Sequence, residues 1–345
     1  MKFVHIADLH LDTPLVSLKN NRELIKNRRN EHKQIFKDVI KFVKNEKIDA
    51  LFIAGDLFEH KFVEKSTIEF IISSLEIIPD TKVFITPGNH DPFVKNSPYT
   101  TFEWPSNVKI FGEKIEKFSL AEKIDVYGMG FENFEIAEND FENFKVENKD
   151  KINFLVTHGT LNGAGGKYND INSKYLDQFD YVALGHIHLP MLNEKIVYSG
   201  ALVACGFDET GEHGMVVGEL VDGKVKYEFK NMEYRHFVDL EIDISDIKTS
   251  IDIFDKVDLK NDIYKVTFKG ARNVEIKELI ELLKSKSSNI TEFRDETHLP
   301  YDLEEIAKQE TLKGIFTRKM LEELEKNPNQ KEEIMKAIEI TYAAF

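Results

Sequence analysis

The chain has 345 residues, 41% of them hydrophobic and 31% charged, which suits a soluble globular protein of more than one domain at ~100–200 residues per domain. No apolar run approaches the ~20 residues of a membrane span, the first residues lack the form of an export signal, and the single cysteine, Cys205, excludes an internal disulfide and suits a reducing compartment. The expectation is a cytoplasmic protein with no membrane contact, and the net charge of −15 argues against a simple electrostatic sleeve around nucleic acid.

From residue 1 to about 200 a short apolar run is followed by Gly, Asp, Asn or His and then by an amphipathic stretch. The runs Phe3–Ala7, Ala50–Ala54, Val83–Thr86, Val126–Met129, Phe154–Thr157, Tyr181–Leu184 and Ile196–Tyr198 have strand length and composition. Ile35, Val39, Phe42 and Val43 are spaced as one face of a helix. Strands alternating with helices predict an α/β core, with its ligand site at the carboxyl ends of the strands. The stretch Lys19–Lys33 holds six Lys/Arg against two Glu; a solvated helix face is the ordinary meaning, and a DNA-backbone contact the rarer one.

Met215–Leu220 and Val225–Met232 form a predicted hairpin around Asp222-Gly223. The texture then changes. Phe237–Ile244 alternates as a half-buried strand. A helical stretch follows around Ile247, Ile251 and Phe254, then a strand at Tyr264–Phe268, a helix with Asn273 as its expected N-cap, and a last strand at Ile290–Phe293. Residues 302–345 read as two helices separated by Asn327-Pro328-Asn329, with stripes Leu312, Ile315, Phe316, Met320, Leu324 and Ile334, Ile338, Tyr342, Phe345. The expected division is a core at 1–234, a small module at 235–300 and a helical tail at 301–345, the tail being open to partner binding.

Five segments place metal-competent side chains just past a predicted strand: Asp8-Leu9-His10, Gly55-Asp56, Gly88-Asn89-His90-Asp91, His158-Gly159 and Gly185-His186-Ile187-His188. They take in five of the eleven histidines. Each is weak alone, since Asp-x-His is common and Gly-Asp is usually a turn. Together they fit a dinuclear site, where two cations about 3.5–4 Å apart share a bridging carboxylate. Asp56, alone at its strand end, is the expected bridge. Asp8, His10 and one histidine of the Gly-His-x-His pair would complete one metal; Asn89, His158 and the other histidine would complete the second. Imidazole, carboxylate and amide oxygen together suit manganese, iron or zinc better than magnesium or calcium. Two lookalikes carry no chemistry. Gly163–Tyr168 fails as a phosphate loop in spacing and in its Tyr168, and is expected to be a loop beside His158. Cys205 lacks a paired histidine motif and is expected to be a core thiol.

The order and content of these blocks resemble the calcineurin-like metallophosphoesterase superfamily. The opening Phe3-Val4-His5-Ile6-Ala7-Asp8-Leu9-His10-Leu11, the Gly55-Asp56-Leu57-Phe58 form, Ala183-Leu184-Gly185-His186-Ile187-His188 and Tyr198-Ser199-Gly200 are similar to the SbcD-type DNA-repair exonucleases. The resemblance implies a four-layer α/β/β/α core of two packed sheets flanked by helices, with an α+β capping domain and a helical tail. It puts Asp8, His10, Asp56 and His188 on the first metal and Asp56, Asn89, His158 and His186 on the second, with His90 acting on the substrate phosphate. It also implies two manganese ions, attack on a DNA phosphodiester by a metal-activated hydroxide, a homodimer, and a coiled-coil ATPase partner of the SbcC type. Close relatives often carry a histidine after the second block; this chain has Glu59 and then His60, which leaves the role of that position open. A non-DNA phosphoester substrate, or a mainly structural subunit, are the alternative expectations.

Overall fold

The computed structural model describes all residues except 19–20, 164–165, 233, 299–300 and 343–345. Lys19 of the basic stretch, Ala164 and Gly165 of the glycine-rich loop, and Phe345 of the last stripe therefore lie outside the described residues. The chain divides into two compact units, Met1–Val238 and Asp239–Phe345.

In chain order the first unit contains β1 (Lys2–Ile6), α1 (Arg22–Asn45), β2 (Ala50–Ile53), α2 (Lys65–Glu76), β3 (Lys82–Ile85), α3 (Pro98–Thr101) and β4 (Val108–Ile110). There follow β5 (Glu116–Ala121), β6 (Ile124–Met129), β7 (Ile152–His158), β8 (Tyr181–Gly185), β9 (Met191–Asn193), β10 (Ile196–Tyr198), β11 (Gly214–Val221) and β12 (Lys224–Asn231). Two six-stranded mixed sheets result, in the orders β12-β11-β1-β2-β3-β4 and β5-β6-β7-β8-β10-β9. The expected strands are all present. Three strands were not expected: β4 and β9, of three residues each, are too short to be read from the sequence, and β5, Glu116–Ala121, carries only Phe118 and Leu120 as large apolar residues among polar ones.

Side-chain alternation explains the layering. Val4, Ile6, Leu51, Ile53, Val83 and Ile85 face one way, onto Ile35, Val39 and Val43 of α1 and Ile68, Ile71 and Leu75 of α2. Phe3, Ala50, Phe52 and Phe84 face the other way, onto Val126, Phe154, Val156 and Tyr181 of the second sheet. Both faces of the central strands are covered, which is why they read as continuous apolar runs. The outer face of the second sheet packs Tyr127, Leu155, Val182 and Leu184 against Phe141, from the loop between β6 and β7, and against Leu176 and Phe179, which follow the 3-10 helix Ser173–Tyr175. This is the α/β architecture of two sheets flanked by helices.

One polar pair sits inside the inter-sheet core. His5 is buried, with its Nδ1 3.1 Å from the Tyr181 hydroxyl. Burial pushes its imidazole down to about 3, so the native state keeps it neutral where the unfolded chain, titrating near 6.5, takes up a proton. The unfolded state therefore binds more protons between those values, and stability is lost as pH falls from about 6.5 toward 3. The expected contribution to the slope approaches about 1.4 kcal/mol per pH unit. His5→Gln should flatten the stability profile between pH 6 and 4 in urea unfolding, and an unchanged slope would refute the assignment.

The second unit is built on β13 (Phe237–Asp243), whose first residues belong to the first unit, with β14 (Ile263–Ala271), α4 (Ile276–Lys286) and β15 (Ile290–His298). The strands form one sheet in the order β13-β14-β15. The stretch around Ile251 is a 3-10 helix, Ser250–Asp255. Asn273 does not cap α4: its amide donates to the Ser245 carbonyl at 2.8 Å, and the helix starts after Glu275. α5 (Leu303–Ala307), α6 (Leu312–Lys326) and α7 (Lys331–Tyr342) follow. The two predicted stripes pack on each other, Ile334, Ile338 and Tyr342 against Phe316, Met320 and Leu324, while Leu312 and Ile315 are exposed. Among the described residues no helix is long and apolar enough to cross a membrane.

Candidate metal centre

The parallel strands end where the ligand candidates begin. Asp8 and His10 follow β1, Asp56 follows β2 and Asn89 follows β3; His158 ends β7, and His186 and His188 follow β8. The first two loops lie along each other, with Asp8 N donating to Gly55 O at 3.1 Å and His10 N to Asp56 O at 2.9 Å. Asp8, His10, Asp56 and His186 all have positive φ, at 50°, 45°, 52° and 99°. Such left-handed backbone costs roughly 1–2 kcal/mol per residue and clusters where function needs it. Gly55 (φ 91°) has no alternative: a Cβ there would stand 2.3 Å from the His158 Nδ1.

All eight residues singled out in the sequence are brought together. Asp56 is central. Its Oδ1 accepts the His90 backbone N–H at 2.8 Å, and its Oδ2 lies 3.6 Å from His10 Nε2 and 3.3 Å from His158 Nε2. On one side His10 Nε2 faces His188 Nε2 at 3.2 Å, with an Asp8 oxygen in the same cluster. On the other, Asn89 Oδ1 faces His158 Nε2 at 3.1 Å and His186 Nδ1 at 3.2 Å. Two groups of inward-facing nitrogen and oxygen atoms thus share one carboxylate oxygen. Two imidazole nitrogens aimed at each other leave at least one lone pair to be met, and a cation between them meets both. The residues fit a metal pair.

Around these atoms lies a ring of residues to which the motifs gave no role. Glu59 sits 2.9 Å from His10 Nδ1 and 3.1 Å from His90 Nδ1 through its two oxygens. Glu209, from the loop before β11, sits 2.7 Å from His188 Nδ1. Buried Asp91 ties the second and third blocks together, accepting from Gly88 N at 2.6 Å, Asp56 N at 3.1 Å, Leu57 N at 2.8 Å and the Tyr99 hydroxyl at 2.6 Å. Asp91 was visible as the last residue of its block. Glu59 was visible only as a departure from the pattern, and Glu209 carried no signal. His60 points elsewhere, its ring 5.8 Å from Phe134. Tyr168, half-exposed, lies 5.1 Å from the His186 ring. Cys205 is half-buried rather than a core thiol.

The electrostatics favour cations. Burial depresses the His158 imidazole, but Asp56 and Asp8 more than reverse this and lift it to about 9. His188, depressed by burial, is lifted to about 9 by Glu209 and Asp8. His186, with burial dominant and no carboxylate bond, falls to about 4. For His90 the Glu59 bond prevails and raises it. Burial and the Asp56 charge push the Asp91 carboxyl up to about 7. The negative potential that draws protons onto His158 and His188 is one that two divalent ions would neutralise.

The family model for calcineurin-like phosphoesterases matches residues 1–190. Among curated proteins, the uncharacterized metallophosphoesterase YhaO of Bacillus subtilis (strain 168) is 26% identical over 277 residues, spanning 75% of this chain and 67% of that protein. A dimetal phosphatase structure from Danio rerio aligns over 68% of this chain and 96% of its own, at 11% identity and a TM-score of 0.41. The structure of TT1561 from Thermus thermophilus aligns over 67% of this chain and 99% of its own, at 13% identity and a TM-score of 0.40. With every block from Asp8 to His188 inside the matched segment, the chain belongs to the calcineurin-like phosphoesterase family, whose members use a dinuclear metal centre.

Proposed function

We propose that the chain is a manganese-dependent phosphodiesterase that cuts DNA in double-strand-break repair, in the manner of the SbcD-type nucleases its motifs resemble. The observation that carries the chemistry is Asp56 Oδ2, set 3.6 Å and 3.3 Å from imidazole nitrogens of the two ligand groups. In this reading Asp8, His10, Asp56 and His188 hold one ion and Asp56, Asn89, His158 and His186 the other. The bound pair supplies a water deprotonated near neutral pH and neutralises phosphate oxygens. The chain's own residues do the rest. Glu59 holds Nδ1 of His90, whose side chain is half-exposed at the edge of the site. There His90 protonates the departing oxygen.

For DNA as substrate, the support is a basic face beside the centre. Arg22, Lys26, Arg29 and Lys33 of α1 line a groove with two acidic residues, Asp12, two residues after His10, and Glu64. Arg29 donates to the Thr13 carbonyl at 3.3 Å, which ties this face to the β1 loop. Arg28 is withdrawn from the basic run, being buried against the Ala204 and Arg235 carbonyls. Groups of this kind read the phosphate backbone rather than sequence. The reading extends to a homodimer and to an SbcC-type ATPase covering the exposed Leu312, Ile315 and Ile340 of the C-terminal helices.

Purified protein with manganese should degrade end-labelled duplex DNA. Charge reversal at the two exposed positions, Arg22→Glu with Lys26→Glu, should lower the ratio of DNA cleavage to hydrolysis of a small diester, bis(p-nitrophenyl) phosphate, by about tenfold at near-physiological salt. Hydrolysis of the small diester with DNA left intact would refute the nuclease reading.

A further inference from the structure

The two halves of the centre differ in what stands behind their imidazoles. His10 and His188 present Nε2 inward, and each has its Nδ1 on a carboxylate, Glu59 Oε1 at 2.9 Å and Glu209 Oε1 at 2.7 Å. In the other half His158 has its Nδ1 on a backbone carbonyl, Ala54 O, at 2.9 Å. His186 turns Nδ1 itself inward, to Asn89 Oδ1 at 3.2 Å. Asp8 comes within 3.9 Å of His158 Nδ1, beyond hydrogen-bond distance, and both its oxygens accept the His186 backbone N–H at 3.0 Å. With Asp56 shared, the first half holds Asp8, Glu59 and Glu209, whereas the second has a neutral amide in Asn89.

We propose that Glu59 and Glu209 make the half formed by Asp8, His10 and His188 the tight metal site, filled first, and leave the half formed by Asn89, His158 and His186 as the weaker site that completes the active centre. This rests on the dinuclear reading above. A carboxylate accepting the imidazole N–H fixes the tautomer that leaves Nε2 as a lone pair, and makes that nitrogen a better donor to a cation. It also adds a negative charge that the backbone carbonyl behind His158 does not.

Both carboxylates are held before any ion arrives. Glu209 Oε2 accepts from Cys205 N at 2.8 Å, and the Glu209 carbonyl lies 2.7 Å from His213 Nε2. The same loop is tied to α1 by Arg28, whose guanidinium donates to Ala204 O at 2.8 Å. Glu59 is fixed between His10 and His90. A preorganised carboxylate loses little freedom on metal binding, so its charge acts in full. The consequence is a resting state with one ion, in which hydrolysis tracks the supply of the second.

Calorimetric titration of the metal-depleted full-length chain with manganese chloride tests this. Two binding events are expected, separated by at least about tenfold in Kd, with hydrolysis rising along the weaker one. Glu209→Gln should weaken the tight event by about 10–100-fold and leave the weak one within about twofold, so that the two merge. Glu59→Gln, from a different loop, should do the same, which guards against a local folding defect in either variant. Two equal events in the unaltered protein, or a tight event unmoved in both variants, would overturn the inference while leaving the dinuclear reading intact. No manganese binding at all would overturn both.

Discussion

Asp56→Asn is expected to lower phosphodiester hydrolysis at least about 1000-fold while leaving the chain folded. The amide is nearly isosteric, and its oxygen can keep the bond from the His90 backbone N–H that Oδ1 accepts at 2.8 Å. What changes is the other position, the oxygen that stands 3.6 Å from His10 Nε2 and 3.3 Å from His158 Nε2. An NH2 group there offers no shared anionic ligand and points its hydrogens at two imidazoles. Loss of about 4 kcal/mol of charge stabilisation at the reacting phosphate corresponds to about three powers of ten in rate. Steady-state hydrolysis of bis(p-nitrophenyl) phosphate reads the effect. A variant within tenfold of the original rate would remove Asp56 from the centre.

Asp91→Ala is expected to have the largest effect on stability among the residues around the site. The carboxylate is buried and accepts from three backbone N–H groups, Gly88, Asp56 and Leu57, and from the Tyr99 hydroxyl. Removing it leaves those donors without an acceptor in a buried place, at about 1–3 kcal/mol each and less than additively. A total of about 4 kcal/mol lowers the Tm of a unit this size by about 10 °C. The rate should fall as well, because the same bonds hold the loop of Asp56 against the loop of Asn89. Asp91→Asn should fall between the two, since one face of its side chain still accepts. Thermal unfolding with and without manganese checks both variants. A wild-type Tm for Asp91→Ala would show that the clamp contributes nothing.

The legible part of this molecule was the part written in consecutive residues. Asp8-Leu9-His10, Gly55-Asp56 and Gly185-His186-Ile187-His188 each follow a buried apolar strand directly, so strand ends and ligand candidates could be read together. The glycine of the second block was legible too, and the structure supplies its reason in the His158 ring that occupies the place of a Cβ. What could not be read depends on contacts distant along the chain. Glu209 meets His188 from a loop with no periodicity, Gly206 to Gly211, and only the tertiary fold delivers it. Glu59 looked like a loss from a familiar pattern, yet it bonds two histidines from different blocks. Arg28 looked like one more cation of a solvated run. Its buried partners are 176 and 207 residues away, and no spacing rule could withdraw it from the surface. Asn273 failed as a cap for a similar reason, its amide being engaged by Ser245 from the preceding segment. The terminal stripes were read correctly as amphipathic, and their mutual packing decides how much apolar surface remains for any partner.

The central claim is that seven residues from five strand ends hold a metal pair bridged by Asp56 and that this pair does the hydrolysis. Elemental analysis of protein dialysed against saturating manganese and corrected for the free ion, paired with the rate of diester hydrolysis in the same sample, tests it most directly. The account predicts close to two ions per chain in the unaltered protein with activity present, and fewer than two in Asp56→Asn with activity lost. Full activity in protein carrying fewer than one ion per chain, or two ions retained in an Asp56→Asn variant that still turns over, would contradict it.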